Sequence, residues 1–172
     1  MTAQGSPGQA AACATRQVSL PPENLSPGLV HGARVLTLRG EMPVQALVPG
    51  DRLVSPGAVM AEVNRIEVSS VITRGIYVIA GSLGHTRRST DTLLAAGQPV
   101  LIRDWRAAAL TGRRLAWLPA IDLVDGEFVR DIGLAPMTLY RVICDGPRVI
   151  CADGMELGSA EVAALPVSAG AR

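Results

Sequence analysis

The sequence contains no lysine: all 16 basic residues are arginine, set against 15 acidic ones. The arginines are scattered and the net charge is only +1. No basic patch therefore marks a nucleic-acid surface, and no block of one sign marks an interaction tail. We read the absence of lysine as coding bias. Aromatic residues are scarce as well, with one Phe, two Trp and two Tyr, although hydrophobic residues make up 48%. The chain is too apolar to be disordered, and its core must be aliphatic. Three cysteines, Cys13, Cys144 and Cys151, are too few for a disulfide framework. Two histidines with no clustered Cys or Asp leave no zinc-ligand set. No apolar run approaches the roughly 18 residues of a spanning helix. The first residues lack the basic and apolar regions of a secretory signal. The expectation is a soluble monomer, cytoplasmic by default, with no metal, cofactor, nucleic acid or membrane, and with an unidentified protein partner still open.

The 172 residues suit one domain with a core large enough to fold alone. Residues 1–27 are rich in Gly, Ala, Ser, Pro and Gln and read as a flexible leader; residues 28–165 read as the domain and 166–172 as a tail. From residue 33 the character is β: ARVLTL (33–38), RLVS (52–55), AEVNRIEVSSV (61–71) and GIYVIA (75–80), divided by Gly and Pro turns. PVQAL (43–47) reads as one helical turn opened by Pro43. RDWRAAALTGRR (103–114) is the best helix, with Asp104 as its N-cap, Trp105 packing inward, Arg106 on the surface and Gly112 as the stop. LPAIDLVDG (118–126) reads as a short helix or turn. EFVRDI, MTLYRVIC (137–144) and RVICADG (148–154) read as further short strands, the last two pairing across Asp145-Gly146-Pro147. The fold expected is mostly β, with many short strands and one or two short helices.

Gly32-x-Arg34-Val35-x-Thr37, a Gly-Glu turn, Pro43-Val44-x-x-Leu47 and Pro49-Gly50-Asp51-x-Leu53-Val54 stand in order. IYVIAGSLG (76–84), DTLLAAGQPVLI (91–102), LPAIDLVDGEFV (118–129) and RVICADGMELGSAE (148–161) follow. This ordered set resembles the Hint (hedgehog/intein) domain, in its bacterial stand-alone branch, over residues 28 to 161. The resemblance implies a flat, horseshoe-like, all-β fold whose two ends meet at a central cleft. In active members of that family a Cys or Ser at the domain start attacks the preceding carbonyl, and a Thr-x-x-His motif distorts and protonates that peptide bond. An amide is a poor acyl donor, so such a site must supply a nucleophile, an oxyanion stabiliser and an acid for the leaving nitrogen.

Carried over residue by residue, the nucleophile position falls on Gly28, the Thr on Ala95 and the His on Gln98. Splicing also needs a C-terminal Asn that cyclises; the only Asn residues are Asn24 and Asn64. Three positions that act as a unit are thus empty of chemistry together.

Three side chains stand near enough to be weighed as substitutes. Ser26 precedes the matched position by two residues, although Ser26-Pro27-Gly28 reads equally as a turn. His31 adjoins Gly32, where a strand-edge histidine is the plainer reading. His85 follows GSLG beside Arg87 and Arg88, in what reads as a solvated loop. Asp51 reads as a turn cap; Asp122, Asp125 and Asp153 could suggest acid–base work, but Asp125 and Asp153 sit beside Gly in turns. Gly81 and Gly84 lack the longer glycine pattern and lysine of a phosphate loop. Cys144 and Cys151 flank a turn and could face each other, against the commoner buried free thiol. The expected function is a degenerate Hint domain that no longer cleaves itself and acts as a binding or folding module. The alternative is active self-processing through an N-to-O acyl shift that releases the leader.

Overall fold

The computed structural model describes residues 25–57, 59–83 and 90–164. Twelve strands and two short helices occur among them: β1 (Leu29–Val30), β2 (Arg34–Thr37), β3 (Gly40–Pro43), β4 (Arg52–Ser55), β5 (Val59–Glu62), β6 (Arg65–Val78), β7 (Thr92–Ala95), β8 (Pro99–Ile102), α1 (Trp105–Thr111), β9 (Ala116–Pro119), β10 (Val129–Ile143), β11 (Val149–Ala152), β12 (Met155–Gly158) and α2 (Ala160–Ala163). Single 3-10 turns cover Val44–Ala46 and Ala120–Leu123, the first placed one residue after Pro43. All the strand pairs are antiparallel. They form a four-stranded sheet in the order β1-β10-β6-β7 and a larger one in the order β5-β4-β2-β11-β12-β8-β9, with β3 on β2. The fold is mostly β, as expected.

The turns follow from residue chemistry. Asp153-Gly154 joins β11 to β12 as a two-residue hairpin with positive φ at both positions, 50° and 76°. The Asp51 carboxylate accepts from Val48 N at 2.9 Å and from Arg39, so it closes the Pro-Gly turn structurally. Helix α1 has Asp104 as its N-cap, accepting from Arg106 N at 2.9 Å, and Gly112 as a left-handed stop. The core is aliphatic, with Leu53, Ile76, Ile150, Leu157 and Val35 among its fully buried residues.

Two expectations are corrected. Residues 61–71 and 75–80 are not separate short strands; most of both belongs to the 14-residue β6, and β10 likewise continues for 15 residues. Gly75 does not break β6, because it is a close-packing position: a Cβ there would lie 2.5 Å from Met137 Cε. Gly133 absorbs a bulge at φ 81°. Pro136 is tolerated in β10 because Thr138 O accepts from His31 N, so residues of that parity face away from β6 and the missing N–H falls on the outer edge. The second correction concerns β10 and β11, which do not pair. β10 pairs with β6 and β1, whereas β11 pairs with β12 and β2. Cys144 and Cys151 are both free thiols.

Candidate functional site

The turn Ala96-Gly97-Gln98 between β7 and β8 decides the geometry of the matched positions. Gln98 N donates to Ala95 O, Ala96 N to Arg74 O, and Ala120 N to Gln98 O, so this turn is tied on both flanks. It therefore points the Gln98 side chain, only 2% exposed, into the space between the start and the end of the domain. Its Oε1 accepts from the backbone N–H of Gly28 at 3.0 Å. Its Nε2 donates to the carbonyls of Gly158 at 2.9 Å and Pro99 at 3.2 Å. One carboxamide thus joins the first strand's entry to the end of β12. The two positions that the resemblance matched to nucleophile and acid are in direct contact.

The Pro27–Gly28 peptide lies in a cleft lined by Leu29, Tyr140, Val142, Gly158 and Ser159, with a cavity volume of ≈ 10 Å³. That is at the lower limit for a single water. Gly28 has φ 150°, and a Cβ there would lie 2.9 Å from Leu139 Cβ, closer than real side chains approach. No side chain can be added at residue 28 without moving β10. The next contact is tighter still: a Cβ on Gly97 would overlap the Leu25 carbonyl oxygen, so residues 25–26 lie directly across that glycine. Ala95 is fully buried with Met137 and Leu139 in a small apolar cluster inside the β1-β10-β6-β7 sheet, and its methyl offers no hydrogen bond.

The other candidates fall as follows. Ser26 is half-buried beside Gly97. His31 is exposed at the far end of β1; its Nδ1 lies 3.1 Å from the Tyr140 hydroxyl, and Tyr140 lines the cleft. His85 lies outside the described residues, as does Cys13. Asp125 is a loop organiser: one of its oxygens accepts from Glu127, Phe128 and Val129 N–H, which holds its carboxyl below the usual range. Asp153 accepts from Arg34 N, and burial raises its pKa. Burial also raises that of Asp122. Neither lines the cleft. Among the described residues no group of three or more His, Cys, Asp or Glu is arranged to hold a metal ion.

Sequence reading missed Ser159. It is buried in the same cleft, donates to Glu161 Oε2 at 2.6 Å, and accepts from Arg148 N at 3.1 Å. Glu161 Oε1 accepts from Cys144 N at 2.9 Å. These bonds dock α2 against the ends of β10 and β12. The available signal was a Ser followed by a first-turn Glu at a helix start. Trp105 and Arg106 also exchange their expected places: Trp105 is 72% exposed, while Arg106 donates to Ser82 O and pairs with Asp104.

The bacterial intein-like domain from Clostridium thermocellum is similar in fold at 14% identity and a TM-score of 0.51, over 77% of this chain and 97% of that one. The MchDnaB-1 intein is similar at 13% identity and a TM-score of 0.50, over 76% and 98%. No curated protein matches in sequence. At such identities these structures speak to fold alone. The family model of the Hint domain, however, matches residues 27–163, most of the sequence. The strand order, the two ends brought together at Gln98 and this match lead to one conclusion: the chain belongs to the Hint domain family.

Proposed function

We propose that this Hint domain holds its junction peptide without cleaving it and serves as a binding or folding module. The observation that carries this reading is the Gly28–Gln98 hydrogen bond in a cleft whose nucleophile space is filled by Leu139. Cleavage at Pro27–Gly28 needs an attacking atom on residue 28 and a proton for the departing Gly28 nitrogen. Glycine supplies no attacking atom. The Gln98 carboxamide presents an oxygen acceptor to that nitrogen and carries no acidic proton, so the bond that positions the amide also denies it protonation. What remains is a clamp, in which a segment entering the domain is held by backbone hydrogen bonds and close packing.

Intact mass spectrometry of freshly purified protein, with and without hydroxylamine or thiol, tests the proposal. The expected result is an unchanged 17.9 kDa mass in every condition. A shorter species beginning near residue 26 or 28, increased by hydroxylamine, would establish the acyl-shift alternative. Ser26→Ala would then show whether that hydroxyl was the nucleophile.

A further inference from the structure

The connection between β8 and β9 carries an exposed surface that the junction cleft does not use. Ile102 is in register with Ala116, so residues 103–115, with α1 among them, form the tip of a hairpin whose second strand is an edge of the larger sheet. Trp105 is the most exposed large hydrophobic side chain among the described residues, and Leu110 and Leu115 on the same tip are exposed at 55% and 46%. A protein with five aromatic residues in 172 leaves one of its two tryptophans in water. Two charges accompany these side chains. Arg113 and Arg114 are exposed and make no ion pair among the described residues, while the tip's other arginines, Arg103 and Arg106, are paired with Glu156 and Asp104.

From this we infer that the α1 tip docks on an anionic lipid surface. The argument is charge complementarity joined to shape. Trp105 and Leu110 are five residues apart on α1, about 140° around the helix, so they spread over a protruding tip and line no groove. A tip of that form inserts among headgroups, whereas a protein partner needs a continuous complementary patch. Tryptophan suits the membrane–water boundary, with an apolar ring and a polar N–H. The guanidinium groups of Arg113 and Arg114 match phosphate oxygens in planar, bidentate fashion. The contact is peripheral: among the described residues no helix is long and apolar enough to cross a membrane. It also departs from the expectation, drawn from scattered charge, that the chain has no membrane partner.

The test uses the full chain with vesicles of phosphatidylcholine alone and of phosphatidylcholine with 30–40% phosphatidylglycerol (about 0.1 M salt), read by co-sedimentation and tryptophan emission. The expected result is salt-sensitive binding to the anionic vesicles only, with a blue-shifted emission. Each arginine near such a surface contributes about fivefold. Arg113→Glu with Arg114→Glu should therefore weaken binding by roughly thirtyfold or more. Trp105→Ser should abolish the emission shift while circular dichroism stays unchanged, since all three residues are exposed. Absent binding to anionic vesicles, or binding indifferent to these substitutions, overturns the proposal. So does binding of polyglutamate without vesicles, which would identify an acidic protein surface. A wild-type dimer lost in Trp105→Ser would overturn it in favour of a second copy of this chain.

Discussion

The Gly28 N–H donates to Oε1 of Gln98 across 70 residues of sequence, and the same carboxamide donates to Gly158 O at the other end of the domain. All three groups are buried. Replacing Gln98 with Leu keeps the volume but strands an amide donor and two carbonyl acceptors. A buried unpaired group costs about 1–3 kcal/mol. We expect Gln98→Leu to lose roughly 2–5 kcal/mol in urea unfolding, with faster hydrogen exchange at Gly28 than at core strands. A variant as stable as wild type would mean that the clasp contributes nothing.

Placing a nucleophile at residue 28 should by itself fail to produce cleavage. Gly28→Cys must place Cβ 2.9 Å from Leu139 Cβ at φ 150°. Strain of this kind costs about 1–3 kcal/mol. The cysteine variant should be destabilised and should form no thioester trappable by hydroxylamine. A double-mutant cycle isolates the steric part: Gly28→Ala should cost about 1 kcal/mol less in a Leu139→Gly background, which removes the opposing Cβ, than in wild type. Strict additivity would argue that β10 yields freely.

Gly97 is the floor on which residues 25–26 lie. In Gly97→Ala the methyl displaces the Leu25 carbonyl, so the entering segment should detach while the two sheets persist. Limited proteolysis should then cut before residue 28 several-fold faster than in wild type, with near-native circular dichroism. Equal cutting rates would place the clamp elsewhere.

The Cys144 thiol is pushed from 9.0 up to about 11, first by burial and then by the nearby Glu161 and Asp145 carboxylates. Burial raises Cys151 as well. A raised pKa here means that folding favours the protonated thiol, so its contribution is intact below pH 9 and is lost as pH rises from about 9 to about 11. Wild-type melting temperature should therefore fall more steeply above pH 9 than that of Cys144→Ala. Parallel curves would show that the thiol ionises freely. Iodoacetamide at pH 8 should modify Cys144 only on unfolding.

Local chemistry was legible in the sequence where it acts over a few residues. Asp104 and Gly112 bounded α1, Asp51 closed its turn, and the scarcity of aromatics announced an aliphatic core. The ordered motifs pointed to the Hint family, and the resemblance matched Gly28, Ala95 and Gln98 to its nucleophile, Thr and His positions. The continuity of β6 from 65 through Gly75 was not legible, because a glycine at the start of a strand and one that admits a neighbour's side chain inside a longer strand look the same in one dimension. Only Met137 and Ile132, some sixty residues away, distinguish them.

What the amino-acid sequence determined by itself was a mostly β Hint domain with an aliphatic core and no nucleophile at residue 28, because side-chain size, alternation and residue identity are properties of single positions. What the tertiary structure alone decided was that Leu139 fills the vacant Cβ space, that Gln98 joins both ends, and that Trp105 faces water while Arg106 does not. These depend on which distant strands come within 3 Å of one another. Register between β1 and β10, and the path of the chain around the cleft, set those distances; no stretch of sequence contains them.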